Sequence, residues 1–447
     1  MKNFNRLLSN CFLHVCLIAI FFGISGYYVT AQTGQTNSFG SPVKFINTNF
    51  ENATGRLVWE YNPDGSVLVQ LMNDHERNTP NRSTIHVHFQ VQAKAEADVI
   101  LHILYYDDDV YNGRLSAVSP YTYLRCYYVS DDGVHWKTVP VEKLERGHKI
   151  KVHMNTDILY VTSMEPYRIS DLDQLLNEIQ DHPLVKIEPI GKTVEGRRLE
   201  IVCIGNPAAP FRVFIRGRAH PWESGTNWVV QGLIKSLLDK NENNDKYFNK
   251  YCVYILPMAN KDGVARGYTR FNSLGMDLNR NMNRPADPDL LPENHAMETW
   301  LKMMIYKGMK PQIAIDLHNH QGAEVVMYGH PNIVKREEYK SDGLMTLQNY
   351  FLIVDKNANT GQYDSNVRKF ESLICQHTWY KQTESNAKNY PVSPENAAVP
   401  RYDVDFACVL ELSHVWIERL NKAPFSTDWM LFGKQLREVF YHYFDSK

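Results

Sequence analysis

Residues 211–223 read FRVFIRGRAHPWE, and this stretch decides how the chain is expected to fold. Its first half, FRVFIR, is a short apolar run of the kind that forms a buried strand, and its second half turns polar at His220 and Glu223. A helical pattern follows, with apolar residues at Val229, Val230, Leu233, Ile234, Leu237 and Leu238. The order of strand, polar turn and helix is typical of an α/β domain whose functional groups lie where the strands end.

Three further apolar runs repeat this arrangement along the chain. They are YCVYILPM at 251–258, PQIAIDLH at 311–318 and FACVLEL at 406–412. Strands that alternate with helices predict an α/β fold with a doubly wound, mostly parallel sheet and helices on both faces. Because His318 and Glu411 lie near the ends of the last two runs, we expect them to meet the 220–223 turn at one edge of the sheet.

The chain has 447 residues, which is long enough for two domains. Residues 36–165 contain short, alternating, aromatic-rich runs separated by turns, such as TIHVHFQVQA at 84–93, and they predict an N-terminal β-sandwich domain. Residues 167–445 carry the α/β pattern, and Ser170 is predicted to cap its first helix, DLDQLLNEIQ. We expect the chemistry to reside in this second domain.

Residues 1–31 have the features of a secretory signal peptide. Lys2 and Arg6 precede an apolar stretch from Cys11 to Val29, and small residues stand just before Gln32. A retained membrane anchor is the alternative, but no cluster of basic stop-transfer residues follows the stretch. The sequence therefore predicts an exported protein, periplasmic or secreted, with no stable membrane span after signal cleavage.

Overall charge and cysteine content point to no special class of partner. The formal net charge is -2, so nothing in it favours nucleic acid or an anionic membrane surface. The cysteines beyond residue 31 are scattered and form no C-x-x-C pair. Neither a thiolate zinc site nor a disulfide framework is predicted, although a single bridge stays open.

The HPWE turn is weak evidence of a metal site when taken alone. In a chain with 17 His and 50 acidic residues, about two His-x-x-acid spacings are expected by chance, and a surface ion pair or a helix cap would explain one. The turn becomes more specific because it lies between a predicted strand and a predicted helix. With His318 from another strand end, His220 and Glu223 would complete a His2Glu zinc site.

The region from Tyr167 to Tyr443 resembles the zinc carboxypeptidase family of the pancreatic carboxypeptidase type. The matching pieces occur in order: IGKTVEGRRLEIVCIG, HPWE, NKDG, MDLNRN, DLH and LEL. Within the family the chain is most similar to the cytosolic-carboxypeptidase branch, which includes tubulin deglutamylases and whose members carry an N-terminal β-sandwich. The resemblance implies a zinc-dependent metallocarboxypeptidase that hydrolyses the C-terminal peptide bond of peptides or proteins.

The same resemblance implies roles for five residues around one zinc ion per chain. His220, Glu223 and His318 would bind the metal, and Asp277 in MDLNRN would orient the imidazole of His220. Glu411 would take the proton from a zinc-bound water and pass it to the leaving amine.

Three further residues would handle the substrate. Asn279 and Arg280 would bind its terminal carboxylate, which makes the enzyme an exopeptidase. Arg270 would stabilise the oxyanion formed when water attacks the carbonyl, with Arg266 as a competitor for that role.

Some features of the sequence leave alternatives open. The active-site tyrosine of the family has two candidates, Tyr390 and Tyr402, and Arg401 is interpreted as an exposed loop residue rather than a specificity determinant. The alternatives to a carboxypeptidase are an exported peptidase or amidase of the same family that acts on cell-wall peptides, and an inactive binding protein with this fold. The preferred terminal residue and the oligomeric state stay open.

Overall fold

The computed structural model describes residues 37, 39–74, 77, 82–105, 110–111, 114–115, 123–240, 244–280, 285–322, 324–327, 360–381 and 405–445. From Ser41 onward the chain forms one compact unit. The predicted signal peptide, residues 1–31, lies outside the described residues. The division into domains at 36–165 and 167–445 stays a prediction.

Two five-stranded sheets make up the N-terminal region, and their inward-facing residues belong to one apolar core. In spatial order the first sheet contains β1 (Val43–Asn47), β4 (His88–Ala93), β12 (Ile158–Thr162), β8 (Cys126–Ser130) and β9 (Lys137–Pro140). The second contains β10 (Glu142–Leu144), β11 (Gly147–Met154), β5 (Ala97–Leu104), β3 (Val67–Leu71) and β2 (Leu57–Tyr61). The short strands β6 (Val110–Tyr111) and β7 (Arg114–Leu115) pair with each other. We call residues 43–162 the N-terminal sandwich.

Alternation of side chains explains why these segments form a two-layered structure. In β5, Val99, Leu101 and Ile103 are buried while the residues between them are half-buried. Successive side chains of a strand point to opposite faces, so each sheet gains one apolar face. Packing those faces together removes both from water, as the alternating pattern predicts.

A seven-stranded sheet forms the centre of the second region. In spatial order it contains β13 (Val185–Lys192), β14 (Arg198–Ile204), β16 (Tyr251–Leu256), β15 (Phe211–Arg216), β17 (Ile313–His320), β19 (Phe406–Ser413) and β18 (Val325–Met327). The four strands β16, β15, β17 and β19 run parallel to one another, and β13, β14 and β18 pair in the antiparallel sense.

The prediction of a doubly wound, mostly parallel sheet is therefore not confirmed, because half of the pairings between neighbouring strands are antiparallel. The physical reason is visible at Glu195 and Gly196, where a tight turn joins β13 to β14 and Gly196 has a φ of 84°. A short turn of this kind can connect only antiparallel strands. The sheet is mixed, with a parallel centre.

Helices cover both faces of the sheet. They are α1 (Ile169–Ile179), α2 (Ser224–Leu237), α3 (Asp245–Phe248), α4 (Lys261–Ala265), α5 (Pro292–Tyr306), α6 (Thr360–His377) and α7 (Ser426–Asp445). Phe211 of β15 stacks on Phe444 of α7 with ring centroids 4.5 Å apart. Phe214, three residues later on the opposite face, contacts Trp300 of α5 at 6.3 Å. The predicted covering of both faces is thus present.

The first helix begins differently from its prediction. It starts at Ile169, so Ser170 lies inside the first turn rather than at the cap. The Asp171 carboxylate accepts the backbone N–H of Arg168 at 2.6 Å, and the Ser170 hydroxyl instead donates to Glu51 at 2.6 Å. An acidic residue in the first turn satisfies an otherwise free helix donor, which explains the shift of the boundary.

Two findings concern the described residues as a whole. The cysteines at positions 126, 203, 252, 375 and 408 are free thiols, so none of them forms the bridge that the sequence left open. In the same described part of the chain, no helix combines the length and the apolar character needed to cross a membrane.

Candidate metal centre

The 220–223 turn lies at the carboxyl edge of the parallel strands. It follows β15, and helix α2 begins at Ser224 immediately after it. His318 lies in β17, which pairs directly with β15, and Glu411 lies opposite His318 in the register between β17 and β19. The predicted convergence at one sheet edge is therefore present in the structure.

A buried arginine shapes the turn. Arg218 has a φ of 59°, in the left-handed region that costs a non-glycine residue about 1 kcal/mol. Its side chain offsets that strain by donating to the Pro221 carbonyl at 2.6 Å and to Asn227 Oδ1 at 3.0 Å. Burial lowers the pKa of Arg218 to about 9. The guanidinium thereby links the turn to the first turns of α2.

Glu223 lies between the two histidines and contacts both. Its Oε1 is 2.8 Å from His220 Nδ1, and its Oε2 is 2.8 Å from His318 Nδ1. All three side chains are buried, and each offers a ligand atom within 4.8 Å of the others. Although burial alone would raise it, the pKa of Glu223 is lowered to about 2 by the imidazoles of His318 and His220.

The outward nitrogens of both imidazoles contact carboxylates. His220 Nε2 lies 3.3 Å from Asp277 Oδ1, and His318 Nε2 lies 3.1 Å from Asp316 Oδ2. With a metal ion bound, a carboxylate beside Nε2 would hold the proton there and leave the lone pair of Nδ1 for the ion. Asp277 thus contacts His220, and Asp316 contacts His318 in the same way.

This donor set fits Zn²⁺. Two imidazole nitrogens and one carboxylate are the ligands of catalytic zinc sites that keep a coordination position open. The carboxylates behind each imidazole are the usual supporting partners of zinc-binding histidines. Within the described ranges this is the one group of three such residues that could hold a metal ion.

Two residues of the site were missed by sequence analysis. Arg216 is fully buried, and its Nε donates to Asp316 Oδ1 at 2.8 Å while its Nη2 donates to Asp316 Oδ2 and, at 3.1 Å, to Asn279 Oδ1. The sequence did contain a signal, because charged residues near the ends of two otherwise apolar strands need buried partners. The pair connects His318 to the segment that carries Asn279.

Arg270 reaches the metal centre through Asp277. Its Nε donates to Asp277 Oδ2 at 2.6 Å, while the other oxygen of that carboxylate contacts His220. Arg266, the competitor for the oxyanion role, is instead ion-paired with Glu195 in a half-exposed position. The structure therefore favours Arg270 over Arg266 as the arginine of this site.

Asn279 and Arg280 are buried beside the ligands. The backbone N–H of Asn279 donates to Asp277 Oδ1 at 2.8 Å, and its side-chain amide lies 3.2 Å from His318 Nε2. Arg280 Nη1 donates to the Asn279 carbonyl at 2.9 Å. These contacts bring Asn279 into the same cluster as the metal-ligand set, and Arg280 adjoins it through the Asn279 carbonyl.

Glu411 lies at the same edge but makes few contacts of its own. Its Oε2 is buried, and no described residue hydrogen-bonds to it. Burial raises the pKa of Glu411 to about 8, with the charge of His318 opposing the rise and the carboxylate of Glu223 adding to it. A carboxyl group in this environment can both accept and return a proton near neutral pH.

The remaining candidates from the sequence cannot be located. Tyr390, Tyr402 and Arg401 all lie outside the described residues. The identity of the active-site tyrosine therefore stays a prediction with two candidates.

Comparison with known proteins agrees with this geometry. A family model described as zinc carboxypeptidase matches residues 172–413, more than half of the chain. The chain belongs to the zinc carboxypeptidase family. This membership confirms the resemblance found in the sequence and the prediction of a carboxypeptidase-class hydrolase.

Individual relatives cover smaller parts. Human cytosolic carboxypeptidase 6 is 29% identical over 269 residues, which is 55% of this chain and 52% of that protein. Cytosolic carboxypeptidase 6 of Caenorhabditis elegans is 31% identical over 185 residues, which is 39% of each. The chain thus spans about half, or less, of the length of these curated relatives.

Solved structures share the fold over a greater length. A metallo-carboxypeptidase from Burkholderia cenocepacia has a TM-score of 0.69 at 19% identity, covering 90% of this chain and 99% of that one. A metallo-carboxypeptidase from Pseudomonas aeruginosa, solved in complex with (2-guanidinoethylmercapto)succinic acid, has a TM-score of 0.70 at 18% identity, with the same coverage. This likeness shows a carboxypeptidase-like fold that extends beyond residues 172–413.

The prediction of an exported protein is contradicted by the curated relatives. Proteins named cytosolic carboxypeptidases 1 and 6 are among the curated relatives that match this chain. The export prediction depended on the basic, apolar and small residues within 1–31, and such a pattern does not by itself distinguish a cleaved signal from other apolar segments. Export, signal cleavage and secretion are therefore withdrawn.

Proposed function

We propose that the chain is a zinc-dependent metallocarboxypeptidase that removes C-terminal residues from peptides or proteins. The observation that supports this proposal is the contact of Asn279 with both His318 and Asp277, with Arg280 next to it and hydrogen-bonded to its carbonyl. A metal-ligand set alone would support many hydrolases. A carboxylate-binding pair joined to it supports action at a chain end.

Different residues of the chain would bind the metal, transfer the proton and stabilise the developing charge. A zinc ion held by His220, Glu223 and His318 would supply Lewis-acid polarisation and lower the pKa of water. Glu411 accepts the proton of the attacking water and delivers it to the leaving amine, and its buried Oε2 has no hydrogen-bond partner among the described residues that would compete for this role. Arg270, whose Nε is ion-paired with Asp277, would stabilise negative charge on the carbonyl oxygen.

Recognition of the chain end falls to Arg280 with Asn279. A guanidinium group presents a planar set of N–H donors that matches the two oxygens of a carboxylate. Because Arg280 is only 5% exposed, the interaction takes place away from bulk water, where it is stronger. We propose peptide and protein C-termini as the binding partners, with no role for nucleic acid.

The proposal is tested with paired peptides that differ only at their terminus. The zinc-loaded protein is expected to release the last residue from a peptide with a free carboxylate and to leave its C-terminal amide intact. Arg280→Ala is expected to lower kcat/KM by about 10- to 100-fold, the value of a lost charge-assisted hydrogen bond. Arg266→Ala, which removes a half-exposed arginine paired with Glu195, serves as the matched control.

Equal cleavage of the amide and the free acid would overturn the carboxypeptidase assignment. Purified cell-wall fragments belong in the same assay, because their cleavage without release of terminal amino acids would support the amidase alternative. (2-Guanidinoethylmercapto)succinic acid, the ligand of the Pseudomonas enzyme, is expected to inhibit competitively, since its carboxylates can occupy the place of the substrate terminus.

A further inference from the structure

The N-terminal sandwich contacts the loop that carries Arg270. This loop, residues 266–272, follows helix α4 and leads toward Asp277. Gly267 has a φ of 61°, and a Cβ added there would lie 1.7 Å from the Ala53 carbonyl oxygen. The two segments therefore pack backbone against backbone, which only glycine permits.

A single buried carboxylate forms the main polar link. Asp74, which follows β3, accepts the backbone N–H groups of Thr269 at 2.9 Å, Arg270 at 2.6 Å and Phe271 at 3.4 Å. Successive N–H groups directed at one carboxylate fix the local backbone, because each would otherwise lack a partner on burial. The backbone of Arg270 is thus held by a residue of the N-terminal sandwich.

Two additional contacts support the same loop. The backbone N–H of His86 donates to Thr269 Oγ1 at 3.1 Å. The guanidinium of Arg56 lies 5.4 Å from the ring centroid of Tyr268. Residues from three separate segments of the N-terminal sandwich therefore converge on a few residues that bear Arg270.

The far end of Arg270 connects to the metal centre. Its Nε donates to Asp277 Oδ2 at 2.6 Å, and Asp277 Oδ1 lies 3.3 Å from His220 Nε2. A continuous series of polar contacts therefore runs from Asp74 through Arg270 and Asp277 to a metal ligand. The position of the Arg270 guanidinium therefore depends on the position of its backbone.

We propose that Asp74 is a positioning residue for Arg270, so that the N-terminal sandwich takes part in setting the rate of the reaction. This inference rests on the proposed function. It differs from a purely structural role, because general destabilisation would act on the whole protein while positioning acts through one guanidinium. A displacement of about 1 Å at such a group is enough to lower a rate by roughly 100-fold.

The test compares Asp74→Asn with Asp132→Asn in the full-length, zinc-loaded protein. Asp132 also accepts two backbone N–H groups in the N-terminal sandwich, those of Val134 and His135, but its hydrogen bonds lie within residues 130–135. Asp74→Asn is expected to lower kcat by about 10- to 100-fold with KM changed less than about threefold and zinc content unchanged. The kcat of Asp132→Asn is expected to stay within about twofold of the wild-type kcat.

A double mutant separates positioning from damage. If Asp74 acts through Arg270, Asp74→Asn lowers kcat no more than about twofold when Arg270 is already alanine. Amide hydrogen exchange is expected to accelerate at residues 269–271 in Asp74→Asn and not in Asp132→Asn. Should Asp74→Asn fail to fold, Thr269→Val removes the acceptor of the His86 N–H and is expected to lower kcat by about threefold.

Three outcomes would overturn the inference. An unchanged kcat in Asp74→Asn, or in Thr269→Val if that variant is needed, means that the loop needs no such support. The same loss of kcat in the Arg270→Ala background means that the effect does not pass through Arg270. An inactive wild-type protein with full zinc occupancy would reject the proposed function first and this inference with it, whereas an active wild type with an unaffected variant rejects the inference alone.

Discussion

Glu411 differs from the other carboxylates at the sheet edge, because Glu223, Asp277 and Asp316 all contact an imidazole whereas Oε2 of Glu411 has no hydrogen-bond partner among the described residues. Such a buried oxygen is costly for stability and is found where a protein needs it for chemistry. The contrast separates metal-supporting carboxylates from the proposed base.

Replacing Glu411 by glutamine is expected to abolish turnover while leaving zinc bound. The amide keeps the shape of the side chain but cannot accept the proton, so kcat should fall by at least about 100-fold. Zinc content measured by mass spectrometry should stay the same as in the wild type. Retained turnover in Glu411→Gln, or loss of the metal, would contradict the assignment of this residue as base rather than ligand.

Asp316→Asn is expected to weaken zinc binding without removing a ligand. The change takes away the carboxylate that holds the proton on His318 Nε2 and the partner of buried Arg216. Loss of such a supporting carboxylate lowers metal affinity by about 10- to 100-fold. Competition with a chromogenic chelator measures the affinity, and Asp98→Asn, at an exposed ion pair of the N-terminal sandwich, is the control. Equal affinities in the two variants would contradict the role of Asp316.

Arg216 and Asp316 were missed for a physical reason, whereas Asp277 beside His220 was named from the family resemblance. His220 and Glu223 stand three positions apart in one turn, and His318 was joined to them by its position at a strand end and by the family resemblance. The contact between Arg216 and Asp316 joins residues 100 positions apart, and a single sequence does not show which buried charge meets which. Both charged residues are visible in the sequence, but only the register of β15 against β17 shows that they face each other.

At the level of single elements, helix α5 carries a buried acid near its start. Glu293 lies in the first turn and is 1% exposed. Burial raises the pKa of Glu293 from 4.5 to about 7, although the side chain of Asn272 donates to it. The folded state therefore binds this proton more tightly than the unfolded state does.

The sign of the resulting pH dependence follows from proton linkage. Between pH 4.5 and about 7 the folded state holds more protons at Glu293, so its contribution to stability is lost as pH rises through this window. Glu293→Gln removes the titrating group. Its free energy of unfolding, relative to that of the wild type, is therefore expected to rise by up to about 3 kcal/mol between pH 5 and pH 8. Urea unfolding at both pH values measures this, and exposed Glu142→Gln is the control. The same difference in free energy of unfolding between Glu293→Gln and the wild type at pH 5 and at pH 8 would contradict the prediction.

Elements were predicted better than their pairing. The apolar runs at 211–216, 251–256 and 406–412 all become strands, because a continuous apolar segment bounded by polar turns has few other buried forms. The antiparallel addition of β14 to β16 was not predicted, since the order of strands in a sheet depends on contacts that no local pattern records.

For the whole molecule, the close packing of the N-terminal sandwich on the 266–272 loop makes a prediction about stability. Gly267→Ala would place a Cβ against the Ala53 carbonyl oxygen, and backbone would have to move. We expect a loss of more than about 3 kcal/mol in the free energy of unfolding. Gly308→Ala is the matched control, because Gly308 has a φ of 72° but nothing within 4 Å of the added Cβ, so that only strain of about 1 kcal/mol remains.

Equal losses in the two glycine variants, measured by denaturant unfolding, would show that the sandwich does not pack tightly on this loop. A larger loss at Gly267 would agree with the wide structural likeness to bacterial metallo-carboxypeptidases, which extends well beyond the matched family region.

The central claim is that zinc at His220, Glu223 and His318 enables release of C-terminal residues. Its most direct test is a titration of metal-free protein with Zn²⁺, with release of the terminal amino acid followed across peptides that end in each of the twenty residues. The account predicts that release from at least one of these peptides rises in proportion to bound zinc, stops near one equivalent per chain and is abolished by chelator. Stoichiometric zinc without release of any terminal residue, or release that chelator leaves unchanged, would contradict it.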